Sequence, residues 1–450
     1  MSMSLEPRRE ELERWVATVV GVPAVDLKRR PGGGSHQAWD VLLAGEARWF
    51  LRADAIEPEP SKHYSLRREA EVYAAVNSIG LPSPRVLGVH DELEAVLLER
   101  SSGDASFARL DLAAQTEIID DFAPWLARLH AADPTTLVLP SLVPASTIVE
   151  AVHHELDLWE RRLDDSATPD PVLTACFHWL RDHVPDTGDT PPSLVQGDTG
   201  PGNFLHDGHR VTAILDFELG HLGDPMEDLA WVGTRNAQEP VPDFERFLER
   251  YAEAIGVAVD RDRIRYHALF AELRIATLGA ERAGTEPDLG AEYGNRLIYG
   301  ALHRRLTVEA LATAMGIELP DVALPELADT DDTFYFDAAL HQMRHSIGPA
   351  IDDPWADRLL KGLARVTKYL REVDRAGDRH ERAELDDLER LLGDRPASVR
   401  EGATALLKLV RARRLSAAEL LPYAAGQVAR MTQLVGPAMG RLATSHLPDV

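Results

Sequence analysis

Residues 194–205 read LVQGDTGPGNFL, residues 211–218 read VTAILDFE, and the chain continues with GDPMEDLA at residues 223–230. Two short apolar runs, Phe204–Leu205 and Val211–Leu215, flank a turn at Asp207–Gly208, a pattern typical of a small β-hairpin. Asn203 precedes the first run and Asp216 follows the second. We expect a hairpin of this size to bring these two polar side chains close together.

The polar residues at the ends of this predicted hairpin suit magnesium chemistry. The amide oxygen of Asn203 and the carboxylate of Asp216 are hard ligands, and water and nucleotide phosphates would complete the octahedron. Asp198 lies on a glycine-bounded loop ahead of Asn203, with the Asp-x-x-x-x-Asn spacing of the kinase catalytic loop. There it could orient an attacking hydroxyl and accept its proton. The alternative is an acidic hairpin closed by Asx turns that binds no metal.

In this order, the motifs between Gln196 and Trp231 resemble those of the aminoglycoside phosphotransferase and choline kinase superfamily. The sequence is most similar to the branch whose domain is also fused to some acyl-CoA dehydrogenases, and the resemblance covers about residues 20–315. It implies an α+β, protein-kinase-like bilobal fold that uses ATP and Mg²⁺. This fold has a small β-rich N-terminal lobe and a mainly helical C-terminal lobe. In this chain an all-α C-terminal domain would follow.

By position, the resemblance implies Asp198 as the catalytic base and Asn203 and Asp216 as the magnesium ligands. It further implies that Asp228 braces the catalytic loop. One residue departs from the family pattern, because Gln196 stands where the family usually has a histidine. That histidine is commonly a structural hydrogen-bonding residue, which glutamine can replace.

The N-terminal lobe is predicted to hold the nucleotide. The loop at residues 32–36 lies between two strand-like runs, and its exposed backbone N–H groups could approach phosphates. A bare flexible turn is the alternative. A strand follows this loop, which excludes a Rossmann motif, and the chain has no P-loop. Glu99, in the segment 97–100, is the predicted hinge where adenine would bond to the main chain. The predicted nucleotide contacts in the glycine loop are Gly33, Gly34 and Ser35.

A kinase lobe also needs a cation on its third strand to grip the α- and β-phosphates. The strand-like run Arg48–Arg52 contains no lysine, so Arg52 is the candidate. Glu69 is its predicted partner, because it shares the apolar face of a helix predicted over residues 65–79, whereas Glu71 lies off that face. The alternative is a surface ion pair that contributes less than about 1 kcal/mol to stability.

The composition of the chain argues against some classes of function. The chain has 450 residues and a net charge of −26, which argues against binding to nucleic-acid phosphates. The acidity fits general solubility and is compatible with a cationic substrate. The sequence contains no run of about 18 apolar residues, so we expect no membrane-spanning helix. The N-terminus lacks the apolar core of a secretory signal. The single cysteine, Cys176, rules out an internal disulfide. We therefore expect a cytoplasmic protein without nucleic-acid or membrane partners.

Three domains are predicted along the chain. Residues 1–100 would form the nucleotide-binding lobe, residues 101–320 the catalytic and substrate lobe, and residues 321–450 a helical domain of unknown role. The last boundary falls in a stretch rich in proline and aspartate at residues 316–332. The amphipathic pattern of the C-terminal helices suggests that they form a homodimer or dock a protein partner.

The predicted function is ATP- and magnesium-dependent transfer of the γ-phosphate to a hydroxyl of a small molecule. The branch resemblance points to hydroxylated acyl-type or lipid-derived substrates as readily as to aminoglycosides. A nucleotide-binding pseudokinase that recruits a partner through its C-terminal helices is the alternative, and Arg52 and Gln196 are the features that support it. A phosphate hydrolase is disfavoured, since the sequence lacks a second carboxylate-rich cluster.

Overall fold

A computed structural model of the protein describes residues 8–30, 37–53, 64–166, 170–283 and 293–450. Its contacts divide the chain into two compact units. The first contains Met1–Val152 and Asp186–Ile264 together with Val450, and the second contains His153–Pro185 and Arg265–Asp449.

The first unit begins with a helix and a five-stranded antiparallel sheet of order β1-β2-β3-β5-β4. The elements are α1 (Arg9–Val20), β1 (Asp26–Arg29), β2 (Gln37–Leu43), β3 (Glu46–Ala53), α2 (Leu66–Ser78), β4 (Val86–His90) and β5 (Ala95–Glu99).

The hairpin of β2 and β3 follows from its turn residues. Ala44 and Gly45 both have positive φ, 51° and 85°, as a two-residue turn between twisted antiparallel strands requires. Inward residues alternate along β2, and Trp39 and Val41 pack with Leu51 of β3 in one buried cluster. This packing fixes the register of β2 with β3. The register in turn sets the position of Arg52, the residue that follows Leu51.

Helix α2 lies where the sequence predicts a helix. The Ser65 side chain accepts a hydrogen bond from the Arg68 N–H and caps the helix. The predicted apolar face is buried, with Val72, Tyr73 and Val76 each at most 2% exposed.

The remaining regular elements described in the first unit are helices and two short antiparallel strand pairs, β6 with β9 and β7 with β8. The predicted hairpin is present as β7 and β8, whereas β9 and its pairing with β6 were not predicted. The elements are α3 (Leu112–Ala131), β6 (Ser193–Val195), β7 (Phe204–His206), β8 (Val211–Ile214), β9 (His221–Gly223), α6 (Pro225–Asn236) and α7 (Phe244–Ile255).

The second unit is built from helices, and α9, α11 and α14 pack on one another. Two helices, α4 and α8, continue into it from the first unit. The helices are α4 (Ile148–Asp164), α5 (Pro171–Asp182), α8 (Arg261–Ala283), α9 (Tyr293–Met315), α10 (Thr333–Gln342), α11 (Pro354–Ala376), α12 (Arg379–Leu392), α13 (Val399–Arg411) and α14 (Ala417–Met439).

Residues 317–330 join α9 to α10 without regular secondary structure, where the sequence predicts a linker. The helices after this segment belong to the same compact unit as α5 and α9. The predicted division of the chain at residues 100 and 320 stays a prediction. Within the described ranges, no helix is both long and apolar enough to cross a lipid bilayer.

Candidate active site

Arg52 on β3 joins three carboxylates of the first unit. Its Nη1 lies 2.5 Å from Oε1 of Glu69 on α2 and 3.0 Å from Oδ1 of Asp216. Its Nη2 lies 2.9 Å from Oε2 of Glu218. Burial disfavours the charged guanidinium, but the three carboxylates outweigh burial and raise the pKa of Arg52 well above its ordinary value. Arg52 is therefore a permanent cation at the centre of an acidic cluster.

Glu69 is the α2 residue that reaches this cluster. It is 1% exposed, and burial raises its pKa to about 8, with Asp216 and Glu218 adding to the rise and Arg52 opposing it. Glu71 points elsewhere and accepts hydrogen bonds from Ser141 near the surface. The structure thus brings together the predicted pair of Arg52 and Glu69.

Asp216 follows β8 in an unusual backbone conformation. Its φ of 59° lies in the left-handed region, which aspartate tolerates better than most residues. Its N–H donates to the Tyr73 hydroxyl at 2.8 Å, and the Tyr73 ring packs edge-on against Phe217. The strained residue is therefore fixed by α2, the helix that also carries Glu69.

Asn203 lies at the same end of the hairpin as Asp216, on the partner strand. Its carbonyl accepts the N–H of Leu215 at 2.8 Å, which places it beside the residue that precedes Asp216. Its side-chain Nδ2 donates to the main-chain oxygen of Asp198 at 2.7 Å and to the Asp198 Oδ2 at 2.8 Å. Since the nitrogen is committed to Asp198, the amide oxygen is the atom that Asn203 can offer to a cation.

Asp198 is held by a second arginine, Arg235 on α6. The Arg235 Nε donates to Oδ1 of Asp198 at 2.8 Å, and Nη2 donates to Oδ2, so the pair is bidentate. The Arg235 Nη1 also donates to the main-chain oxygen of Pro201 at 3.2 Å. Burial raises the pKa of Asp198 above its ordinary value; Arg235 opposes this rise and nearby Asp216 adds to it.

Two glycines allow the catalytic loop to take this shape. Gly197 has a φ of 81°, and a side chain there would place its Cβ 2.5 Å from the main-chain oxygen of Leu219. Gly200 has a φ of 136°, and its Cβ would lie 3.3 Å from the Arg235 side chain. Glycine removes both contacts, so the loop can wrap around Arg235.

Asp228 on α6 braces the same loop, as the sequence predicts. The residue is completely buried, and its carboxylate accepts hydrogen bonds from the N–H groups of Gln196 (2.8 Å) and Gly197 (2.9 Å). It also accepts the Thr199 hydroxyl at 2.5 Å and contacts His130 Nε2 at 2.9 Å. Asp228 therefore satisfies backbone donors that would otherwise be buried without partners.

Gln196 makes a structural contact with its side chain. The buried amide Nε2 donates to the main-chain oxygen of Leu215 at 2.6 Å. The contact joins the start of the catalytic loop to the residue before Asp216. This is a hydrogen bond of the kind expected from the histidine of the family pattern.

Comparison with known families agrees with this geometry. The model of the phosphotransferase enzyme family matches residues 26–267, which is more than half of the chain. The chain belongs to the phosphotransferase enzyme family. The family resemblance read from the sequence is thereby confirmed.

Curated relatives of this phosphotransferase family member are larger proteins. Acyl-CoA dehydrogenase family member 10 of Mus musculus is 24% identical over 238 residues, which cover 50% of this chain and 22% of the relative. Acyl-CoA dehydrogenase family member 11 of Mus musculus is 28% identical over 201 residues, which cover 42% and 25% of the two chains. The chain thus spans about a quarter of the length of these relatives.

A solved structure supports the fold. A protein of Ralstonia eutropha assigned to the aminoglycoside phosphotransferases aligns with a TM-score of 0.53 and 21% identity, covering 69% of this chain and 98% of that one. At this identity the likeness concerns the fold alone. The predicted architecture of a small antiparallel sheet, a mainly helical remainder and a C-terminal helical region is confirmed.

The other predicted nucleotide contacts remain predictions. The three residues of the glycine loop, Gly33, Gly34 and Ser35, lie outside the described residues. Glu99 ends β5, where its N–H donates to the main-chain oxygen of Arg85 at 2.8 Å and its exposed side chain lies 3.2 Å from the Arg85 Nε. A hinge contact to adenine would have to use other main-chain groups of this segment.

Two residues that the sequence analysis missed contribute to the site. Glu218 lies two residues after Asp216, and both side chains reach Arg52. Arg235 lies two helical turns after Asp228 and so shares its face of α6. Both spacings can be seen in the sequence. The charged partner of each residue, however, is determined by how the loop folds.

The donor set fits a divalent cation next to Asp216. Burial raises the pKa of Glu69, and the carboxylates of Asp216 and Glu218 add to the rise while Arg52 opposes it. The amide oxygen of Asn203 and the nearby carboxylates are hard ligands of the type that Mg²⁺ prefers. A cation there would oppose the repulsion between these carboxylates.

Proposed function

We propose that this chain is an ATP- and magnesium-dependent phosphotransferase that moves the γ-phosphate to a hydroxyl of a small molecule. One observation carries the proposal: Arg52 bonds to both Glu69 and Asp216, while Asn203, on the partner strand at the same end of the hairpin, bonds to Asp198. A phosphate-binding cation, two metal-ligand candidates and a base therefore belong to one connected set of contacts, as phosphoryl transfer requires.

On the nucleotide side, Arg52 would bind the α- and β-phosphates. Its guanidinium has donors beyond those used by the three carboxylates, and the planar fork suits phosphate oxygens. Asn203 and Asp216 would hold Mg²⁺. Glu218 bonds to Arg52 and would adjust the position of the Arg52 guanidinium. The bound ion would neutralise charge on the transferring phosphoryl group.

On the acceptor side, Asp198 would orient the hydroxyl and accept its proton. As the hydroxyl oxygen bonds to the γ-phosphorus, the bond to the bridging oxygen of the β-phosphate breaks, and the proton moves to a carboxylate oxygen of Asp198. Oδ1 of Asp198 accepts one hydrogen bond, from Arg235, and so keeps a lone pair for this proton, whereas Oδ2 accepts from both Arg235 and Asn203. The raised pKa of Asp198 makes it a better base than an exposed aspartate.

The pseudokinase alternative loses its two supporting features. Arg52 stands in place of the usual lysine but makes the ion pair with Glu69 that the lysine would make. Gln196 supplies a buried structural hydrogen bond. One observation still favours the alternative, because both oxygens of Asp198 already accept from Arg235. An activity measurement separates the two functions.

The acceptor class is inferred from two resemblances. The curated relatives are named for acyl-CoA dehydrogenases, which supports hydroxylated acyl-type or lipid-derived acceptors. The resemblance of the catalytic motifs to the aminoglycoside phosphotransferase superfamily supports aminoglycosides as readily. Both classes offer a hydroxyl, and both belong in the test.

The test is a screen for phosphate transfer from Mg²⁺-ATP to hydroxylated fatty acids, their thioesters, aminoglycosides and sugars, read by mass spectrometry. We expect a phosphorylated product with the wild type and with Asp207→Ala, which alters an exposed aspartate in the hairpin turn. We expect none with Asp198→Ala. Equal transfer by Asp198→Ala would contradict its role as base, and nucleotide binding without transfer to any acceptor would favour the pseudokinase.

A further inference from the structure

Helix α11 differs from the other long C-terminal helix of its unit, α14. Both have 23 residues, but α14 buries twelve of them and α11 buries three, Thr367, Glu372 and Ala376. Four large apolar residues of α11 are exposed instead, and its other large apolar residues are half-buried. A helix with this sequence normally packs its apolar face against another element.

The exposed apolar residues of α11 form one stripe. Their helical spacing puts them within one quarter of the helix circumference. Helix α10 packs against α11 and exposes two more aromatic side chains, Phe334 (71%) and Tyr335 (68%). We call the following residues the apolar stripe: Trp355 (42% exposed), Leu359 (42%), Leu363 (53%) and Leu370 (45%).

The apolar stripe is concentrated and large. Half of the large hydrophobic side chains that are exposed in the described ranges lie between residues 334 and 370. From their exposed fractions, the stripe and the two α10 aromatics present on the order of 600 Å², against about 800 Å² per partner in a standard interface. Contiguous apolar patches of this size are uncommon on monomers and mark interaction sites. With a polar rim, the area suffices for a stable dimer.

The spacing of the stripe favours a second copy of the chain as the occupant. Trp355 and Leu370 stand at equal distances on either side of the point between Gly362 and Leu363, as do Leu359 and the half-buried Val366. An antiparallel two-fold pairing would therefore set Trp355 of one copy over Leu370 of the other, with the two Leu363 side chains at the centre. Such a self-complementary patch is what an isologous interface requires.

We propose that the apolar stripe is a homodimer interface in which α11 packs antiparallel on α11 of a second copy. No charged residue belongs to the stripe, so a partner recognised by charge has nothing to bind there. The phenyl and phenol rings of α10 would extend the buried area at the edges of the helix pair. The proposal is independent of the phosphotransferase activity.

Solution mass tests the proposal directly. Light scattering after size exclusion should give the 450-residue chain about twice its 49.7 kDa mass at micromolar concentration. Leu363→Glu puts two like charges at the centre of the interface and should yield a monomer with unchanged circular dichroism. The matched control Leu112→Glu changes an equally apolar residue, 67% exposed at the start of α3, and should remain a dimer.

Cross-linking tests the arrangement without a disruptive charge. The chain has a single cysteine, the buried Cys176, so an added cysteine is the reactive one. Leu363→Cys should form an interchain disulfide under mild oxidation, because the two-fold axis brings its copies together, whereas Leu112→Cys should not. A monomeric wild type, a Leu363→Glu dimer or a dimer in which Leu363→Cys stays unlinked would overturn the proposal.

Discussion

Arg52 and Arg235 hold the acidic residues of the site in opposite ways. Arg52 divides its donors among three carboxylates, whereas Arg235 gives a bidentate pair of hydrogen bonds to the single carboxylate of Asp198. Arg52 thus faces three carboxylates, whereas Arg235 faces one. We therefore expect the first side of the site to bind a cation, while the second holds one acid in a fixed orientation.

This difference separates binding from chemistry. Around Arg52, burial raises the pKa of Glu69 to about 8, Asp216 and Glu218 add to the rise, and a bound cation would lower this pKa. Around Arg235, the pair fixes the direction of the Asp198 oxygens and limits the rise in their pKa. Substitutions near Arg52 should thus weaken nucleotide binding, and substitutions near Arg235 should slow turnover.

The largest expected effect is on turnover, at Asp198. With the acceptor found in the screen, Asp198→Ala should lower kcat by about 10³-fold, because the hydroxyl loses its base and its orientation. The dissociation constant for Mg²⁺-ATP should stay within about threefold, since Asp198 does not bind the nucleotide. Steady-state kinetics and calorimetry on the same samples give both numbers. A loss of affinity with unchanged kcat would contradict the separation of nucleotide binding from chemistry.

Next in size is the effect of Arg52 on nucleotide affinity. Arg52→Ala should weaken Mg²⁺-ATP binding by about 10- to 100-fold, because it removes the phosphate cation and its ion pairs with Glu69, Asp216 and Glu218. The control is Arg48→Ala on the same strand, whose exposed side chain pairs with Glu46. Fluorescence titration with a nucleotide analogue measures both variants. Equal affinities for the two would refute the assigned role.

A smaller effect is expected from Arg235, together with a shift in pH dependence. Arg235→Gln should lower kcat about 10-fold and leave the KM for ATP unchanged. Without the guanidinium, the pKa of Asp198 rises further, so more of the base is protonated and the acid limb of kcat moves to higher pH. Arg250→Gln, at an exposed position on α7, serves as the control. An unshifted acid limb would show that Arg235 has only a structural role.

The smallest expected effect is the release of a proton when the nucleotide binds. With its pKa raised to about 8, Glu69 binds a proton more readily than an ordinary glutamate in the free protein, and a cation beside Asp216 lowers that pKa. Binding of Mg²⁺-ATP at pH 7 should therefore release a fraction of a proton. Calorimetry in buffers of different ionisation enthalpy measures this release. It should vanish in Glu69→Gln and persist in Glu71→Gln; release in both variants would assign the proton to another group.

The parts of the site that were predicted from the sequence rest on local pattern. The hairpin was readable because its two apolar runs flank an Asp-Gly turn, and Glu69 was readable because helical spacing puts it on the buried face of α2. Asp228 was recognised through the family pattern of its motif. In each case a short stretch of sequence determines where the side chain points.

The parts that were missed depend on contacts distant in sequence. Arg235 reaches Asp198 because Gly200 lets the loop close around its side chain, and no local pattern reports that closure. The pairing of β9 with β6 involves strands of three residues, too short for a periodic signal. The sequence pattern of α11 showed an amphipathic helix but not that its apolar residues would stay exposed.

Binding of Mg²⁺-ATP to the wild type and to Asp216→Ala, measured by calorimetry, tests the central claim most directly. We expect micromolar binding by the wild type and at least about 100-fold weaker binding by Asp216→Ala, because the metal site at the end of the hairpin loses its carboxylate. Tight binding by both proteins would contradict the assignment of Asp216 to the metal. Absence of binding by the wild type would contradict the account of this site as a nucleotide site.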